Sequence, residues 1–222
     1  MRPEVIVFDV NETLSDISFL DARFAEVGAP ELLRPVWFTS VLRDGFALAT
    51  SGTQAKFSTI GADSLRSVFT GIALNRDVDD AVQHVMQSFS TLPVHGDVPA
   101  GIRALRATRR RLVTLTNGAT AVAEGLLGSA GLLDQFEALL TVEDANVWKP
   151  GLGAYEHASQ RCDAPLSEML LIAVHPWDID GAARAGMSTA WINRNDTPYP
   201  SYFKQPDYTV TALDQLAEQL PK

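Results

Sequence analysis

The chain has 222 residues, 46% of them hydrophobic, which is ample for a sizeable core in one large domain or two small ones. A formal net charge of −9, with one short basic run at Arg109-Arg110-Arg111, argues against a nucleic-acid partner. No stretch approaches the ~20 apolar residues of a membrane span, and the first apolar run is too short and too early for a signal peptide. A soluble, cytoplasmic protein with no membrane partner is the expectation.

The first apolar run, "VIVF" at 5–8, drives directly into Asp9, with Asn11, Glu12 and Thr13 crowded behind it. From 14 to 94 the chain carries helical stretches ("DARFAEVG", "PVWFTSVLRDGFALA", "DSLRSVFTGIA", "DDAVQHVMQSFSTL") and no convincing strand. A helical insert after the first strand is the economical reading, with the sheet resuming near His95-Gly96-Asp97. "VPAGIRALRATRR" then reads as a helix, apolar at Ile102 and Leu105, and the run Arg109-Arg110-Arg111 as its solvated end, where cations suit the helix C-terminus.

"RLVTLTN" at 111–117, "MLLIAV" at 169–174 and the shorter "TAWIN" at 189–193 are continuous apolar runs with polar or Gly/Pro boundaries. Such runs suit strands buried on both faces of a parallel sheet. "TAVAEGLLGSAGL", "GLGAYEHASQRC" and "DIDGAARAGM" read as helices between and after them, and "TALDQLAEQL" as a closing helix. This alternation predicts an open, doubly wound α/β sheet. Residues 193–208, rich in Pro and Tyr, read as an ordered loop. Cys162, the only cysteine, excludes an internal disulfide, fits a reducing compartment, and reads as an inert residue. His84 and His95 read as structural, and His157 as a surface residue of its helix.

In open α/β sheets ligands bind beyond the carboxyl ends of the strands. The residues just past each apolar run are therefore candidates for a site: Asp9, Asn11 and Thr13; Thr116, Asn117 and Gly118; Lys149, after "LLTVEDANVW"; His175 and Asp178. Acids, hydroxyls, an amide and a lysine from four segments converge on one edge.

The order "FDVNETL … LTNG … KP … VHPWDIDGAARAGM" resembles the haloacid dehalogenase superfamily, all four of whose motifs occur in sequence across nearly the whole chain. "WKPGLGAYEHA" and "WINRND" look like its type II, L-2-haloacid branch. The resemblance implies a Rossmann-like core at 1–13 and 95–222, a helical cap at 14–94, and a homodimer as a possible assembly. It implies that Asp9 is a nucleophile forming an ester that water cleaves, with Thr13, Thr116 and Asn117 hydrogen-bonding its carboxylate or the substrate. Lys149 would keep that carboxylate ionised, and Asp178 would position Lys149 or the hydrolytic water. Tyr155 matches the branch.

The departures from the branch are specific. Asn11 stands where it typically has Tyr, Glu12 where it has Gly, and Ala173 and His175 where it has Ser and Asn. Its arginine after an aromatic aligns with Phe38, after Trp37; Arg43 is the nearest cation of the same predicted helix. Trp37, Phe38, Phe46 and Trp177 either line an apolar substrate pocket or belong to the core, with core the first reading for Phe46 and the pocket for the other three. His175 is either a base for the hydrolytic water or a group that shapes the pocket, and Glu12 faces solvent, pairs with a base or touches substrate.

The phosphatases of the superfamily have a second Asp where this chain has Asn11, and an amide does not protonate a leaving oxygen. A halide leaves without a proton, so carbon–halogen displacement on a halogenated carboxylic acid is the first expectation, with no cofactor and no metal. The alternatives are a Mg²⁺-dependent small-molecule phosphatase, its metal on Asp9, the Asn11 carbonyl and Asp178, and a non-catalytic binding protein of the same fold.

Overall fold

The four residues of "VIVF" form β1 (Val5–Phe8), all fully buried, in the interior of a six-stranded parallel sheet. The structure, a computed structural model, describes residues 3–221; the expected core limits at residues 1 and 222, with residue 2, lie outside the described residues. The other strands are β2 (Arg111–Thr116), β3 (Ala138–Thr141), β4 (Met169–Ala173), β5 (Ser188–Ile192) and β6 (Tyr208–Val210), in the order β3-β2-β1-β4-β5-β6. Val5 pairs with Arg111 on one side and Met169 on the other. The chain winds outward from β1 to β3, returns to β4 on the opposite side of β1, and winds outward again. The reversal leaves a crevice between β1 and β4, where such sheets bind ligands.

The insert between β1 and the rest of the sheet is all helix, as predicted: α1 (Leu20–Glu26), α2 (Leu33–Thr50), α3 (Phe57–Val68) and α4 (Val78–Phe89). Its centre is Trp37, fully buried, with ring centroids of Phe24, Phe38 and Phe89 at 6.1, 6.2 and 5.9 Å. The indole N–H donates to the Gly61 carbonyl at 2.9 Å, so this large side chain is polar-satisfied as well as packed. Where the chain leaves and rejoins the core, Ser15 and Val94 form an antiparallel bridge, and Asp16 N–H donates to Pro93 O at 2.8 Å. A second tie is Trp148, whose ring lies so close to α2 that a Cβ on Gly45 would come within 2.3 Å of it.

The sheet is covered by α5 (Val98–Ala107), α6 (Thr120–Ser129), the single turn α7 (Val142–Ala145), α8 (Leu152–Cys162) and α9 (Pro176–Ala185). "TALDQLAEQL" is less regular than predicted: a 3-10 turn at Leu213–Gln215 precedes α10 (Leu216–Gln219). Two strands carried no clear sequence signal. β3 and β6 are the sheet's outer strands, only four and three residues long, so neither displays the continuous apolar run of a strand buried on both faces. Residues 193–208 form the expected packed loop up to Tyr208, with Tyr199 edge-on to Trp191 at 4.9 Å.

The arginine run corrects the expectation of a solvated helix end. Arg109 adopts φ 64° and turns the chain into β2, which carries Arg110 inward. Arg110 is 3% exposed and donates to the backbone carbonyls of Pro3 (3.0 Å) and Pro221 (2.5 Å), while Arg111 pairs with Glu137. His157, expected at the surface of its helix, is half-buried, and its Nε2 is buried without a hydrogen-bond partner among the described residues. His84 bonds Glu26 at 2.8 Å, tying α4 to α1, and Cys162 is buried. Among the described residues no helix is long and apolar enough to cross a membrane.

Candidate active site

Asp9 leaves β1 with its backbone N–H on the Ile172 carbonyl of β4, at 3.0 Å. The next residues curl back, Leu14 and Ser15 both donating to the Val10 carbonyl, which brings the Thr13 hydroxyl to 2.6 Å from Asp9 Oδ2. Thr13 Oγ1 in turn accepts from Val174 N–H at 3.1 Å, so the loop after β1 is locked to the end of β4.

Lys149 arrives from 140 residues away. Its backbone is held by Asn117, whose Oδ1 accepts from Lys149 N–H at 2.9 Å and whose Nδ2 donates to Lys149 O at 3.2 Å. The ammonium, with no solvent exposure, lies 2.9 Å from Asp9 Oδ1 and 2.6 Å from Asp178 Oδ2. Asp178, in the first turn of α9, receives the Tyr155 hydroxyl on its other oxygen at 2.7 Å. Tyr155 reaches it because position 181 is glycine: a Cβ there would sit 2.5 Å from the tyrosine oxygen.

One ammonium between two buried carboxylates divides their acidities. Burial works against ionisation of Asp9, but Lys149, His175 and the Thr13 hydrogen bond outweigh it and hold the carboxyl below its ordinary range. Asp178 is pushed upward by burial, and by Asp9, despite Lys149. The two carboxylates more than offset the burial of Lys149 and keep it charged, while burial lifts the Tyr155 phenol well above its usual value.

Above this cluster lies an aromatic wall. The His175 ring lies near-parallel to Trp177 at 5.0 Å and to Phe38 of the insert at 6.3 Å, and Phe46 meets Trp177 edge-on at 4.9 Å. His175 Nε2 is 3.2 Å from the Asn11 carbonyl, 3.8 Å from Asp9 Oδ2 and 3.6 Å from Glu12 Oε2. A carbonyl only accepts, so Nε2 carries a hydrogen. Glu12 and His175 together form the partition between two cavities. A polar one of about 360 Å³ includes Asp16, Arg34, His95 and Arg194, and a mainly apolar one of about 560 Å³ includes Phe38, Leu42, Phe46 and Trp177.

The structure thus brings Asp9, Thr13, Lys149, Tyr155, Asp178, Asn11 and His175 together, and Phe38 and Trp177 line a cavity beside them. Other candidates fall elsewhere. Trp37 is not on the pocket, because the insert uses it as its own core. Phe46, expected as core, is half-buried and lines the apolar cavity. Arg43 lies at the rim of that cavity, 70% exposed and forked onto Asp44 at 2.7 and 3.1 Å, not turned toward Asp9. Thr116 does not bond the Asp9 carboxylate; its hydroxyl accepts from Gly118 N–H at 2.9 Å, and Asn117 serves Lys149 instead.

Sequence reasoning passed over Arg34, which lines the polar cavity and pairs with Asp21. Its spacing was the available signal: four residues before Phe38 is one helical turn, hence the same face of α2. It also passed over Arg194, held by Asp97 at 2.6 Å and donating to Thr13 O at 3.0 Å.

The magnesium set of the phosphatase alternative does not fit. Both oxygens of Asp178 are taken by Lys149 and Tyr155, the Asn11 carbonyl accepts from His175, and an ammonium lies between the two acids. Among the described residues no group of three or more His, Cys, Asp or Glu is placed to hold a metal ion.

A parallel sheet wound both ways from β1, a helical insert after that strand, and an Asp–Thr–Lys–Asp cluster at the carboxyl edge of the sheet define a Rossmann-like α/β protein with a candidate site at the switch point. The model of the haloacid dehalogenase-like hydrolases matches residues 3–186, and the chain belongs to that family. Haloacetate dehalogenase H-2 of Moraxella sp. (strain B) is 28% identical over 215 residues, 96% of either chain. The (S)-2-haloacid dehalogenase of Pseudomonas sp. (strain YL) is 29% identical over 216 residues, 96% of this chain and 92% of its own. The solved structure of L-2-haloacid dehalogenase from Xanthobacter autotrophicus has the same fold, with a TM-score of 0.85 at 23% identity over 97% of each chain.

Proposed function

We propose that this hydrolase cleaves carbon–halogen bonds through a covalent ester on Asp9. The observation that carries the reading is the Asp9 carboxylate itself, kept ionised by Lys149 at 2.9 Å and aimed by Thr13 at 2.6 Å, at the crevice between β1 and β4. An Asp9 oxygen attacks the carbon and the halide leaves with the bonding electrons, needing no proton. Water then adds to the Asp9 carboxyl carbon, the ester breaks, and the hydroxylated product departs. Lys149 offsets charge at the reacting carboxylate, Asp178 and Tyr155 hold Lys149, and His175, its Nε2–H on Asn11 O, positions the loop.

The substrate class proposed is a halogenated carboxylic acid, by likeness to relatives named for haloacetate and 2-haloacids and to a Xanthobacter autotrophicus structure with chloropropionic acid covalently bound. The chemistry uses side chains alone, without cofactor. We take 14–94 as a cap hinged at the Ser15–Val94 bridge, shutting bulk water from the cluster when closed.

Halide release from chloro-, bromo- and fluoro-acids, with and without EDTA and Mg²⁺, tests the reaction class; EDTA-insensitive halide release is expected, and EDTA-sensitive phosphate-ester turnover without halide release would reject it. Single turnover in ¹⁸O water tests the ester. Label is expected in Asp9 first; label in product with Asp9 unlabelled would refute the scheme.

A further inference from the structure

The second half-reaction needs a group to take a proton from water, and the groups nearest Asp9 are already engaged. Asp178 has no exposure and both of its oxygens are occupied. Lys149 is an ammonium between two acids, and Thr13 donates to Asp9. His175 presents to Asp9 the same nitrogen whose hydrogen goes to Asn11 O.

Glu12 is the remaining carboxylate. It sits at φ 61°, a left-handed conformation that a residue with a Cβ rarely adopts and that glycine takes without strain. A non-glycine residue held there points to a role for its side chain. That side chain is a third exposed, lies 3.6 Å from His175 Nε2, and walls both cavities. Its backbone is fixed, the carbonyl accepting from His95 Nε2 at 2.9 Å.

We infer that Glu12 is the general base of ester hydrolysis, a catalytic residue in addition to the strand-end cluster. The inference rests on the Asp9 ester proposed above. Water oxygen bonds to the Asp9 carboxyl carbon as its proton passes to Glu12. The tetrahedral adduct then breaks its bond to the substrate oxygen, which takes the proton from Glu12, and the Asp9 carboxyl loses its remaining proton to solvent. Organohalide and water thus give alcohol, halide and one proton.

The charged and titratable groups facing Glu12 are Asp9 from the end of β1, His175 from the start of α9, Arg34 from α2 and His95 from the segment before α5, with Asp16 and Arg194 across the polar cavity. Burial, helped by the Asp9 charge, raises the Glu12 carboxyl above its ordinary range, more than His175, Arg34 and His95 lower it, which makes it a stronger proton acceptor than a solvated carboxylate.

Rapid-quench kinetics with bromoacetate tests the assignment. E12Q is expected to release about one equivalent of bromide at the wild-type rate, then to turn over roughly 100-fold more slowly, with the alkylated protein accumulating by mass spectrometry. E12D should recover part of the loss, and the acid limb of the wild-type pH profile should vanish in E12Q. E12G, free of backbone strain, should share the hydrolytic defect if E12Q folds poorly. Turnover of E12Q within about twofold of wild type, or equal loss of burst and steady state in both variants, would overturn the inference. Label from ¹⁸O water entering product in a single turnover with Asp9 unlabelled would sink the Asp9 ester itself, and this inference with it.

Discussion

At the carboxyl edge of the sheet, Asp9, Thr13, Lys149, Tyr155 and Asp178 satisfy one another at 2.6–2.9 Å, with almost no solvent exposure. The α2 side chains at the adjacent apolar cavity include Phe38, Leu42 and Phe46, while Arg43 at its rim is spent on Asp44. The sheet edge is thus a closed electrostatic unit in which every charge has a partner, and the insert contributes shape and desolvation. Under the proposed reading, the contrast puts the chemistry and the choice of substrate in different parts of the chain. On that reading, substitutions in α2 change what fits without disturbing Asp9, whereas a change at the sheet edge strikes the reaction directly and, where it leaves a buried charge unpaired, the fold as well.

The largest effect expected is on the sheet side. Asp9→Asn should lower turnover by roughly four orders of magnitude while circular dichroism stays native, since Lys149 keeps Asp178. Appreciable halide release by this variant would break the assignment of chemistry to the sheet edge.

Lys149→Met leaves two buried carboxylates facing each other and should cost about 3–5 kcal/mol in urea denaturation. A loss comparable to that of an exposed lysine would show that the cluster is not a closed unit.

On the insert side, Gly45→Ala forces a Cβ to within 2.3 Å of the Trp148 ring, which is buried and near-parallel to Phe57. It should cost about 1–3 kcal/mol by overpacking, read as a lower urea midpoint. Hydrogen exchange would sharpen the comparison if α2 to α4 lose protection while β1 and β4 keep theirs.

The smallest effect belongs to Asp97, which joins Arg194 and the Leu213 N–H beside the insert junction. Burial raises its carboxyl, but those two partners outweigh burial and hold it below the ordinary range. A depressed acid stabilises the fold above its unfolded pKa, and the contribution is lost as pH falls through the folded value. The stability gap between wild type and Asp97→Asn should therefore be present at neutral pH and shrink on acidification. A gap that persists in acid would assign the effect to packing.

Much of the sheet and of the site could be read from residue order because each signal was local. β1, β2, β4 and β5 announce themselves as apolar runs, and Asp9, Thr13, His175 and Asp178 come within a few residues of such runs. β3 and β6 escaped because an outer strand of three or four residues carries no continuous pattern. Trp37 and Phe46 were interchanged because both are aromatic residues of one helix: which of them turns into the insert and which toward Trp177 depends on where α2 rests against α3, α4 and Trp148. Arg110 was misplaced because a left-handed residue at Arg109 redirects the chain, and nothing in three consecutive arginines marks that turn.

From its sequence alone, then, this chain declared a parallel α/β sheet, a helical insert after the first strand, and the acids and lysine that the strand ends would carry, because hydrophobic period and strand-end position are properties of short segments. Tertiary structure alone decided that Asn117 would hold the Lys149 backbone, that Tyr155 would occupy Asp178, and that Glu12 would face His175 between two cavities. Those pairings join residues 23 to 163 positions apart, and a hydrogen bond depends on tenths of an ångström that only the packing of the whole chain provides.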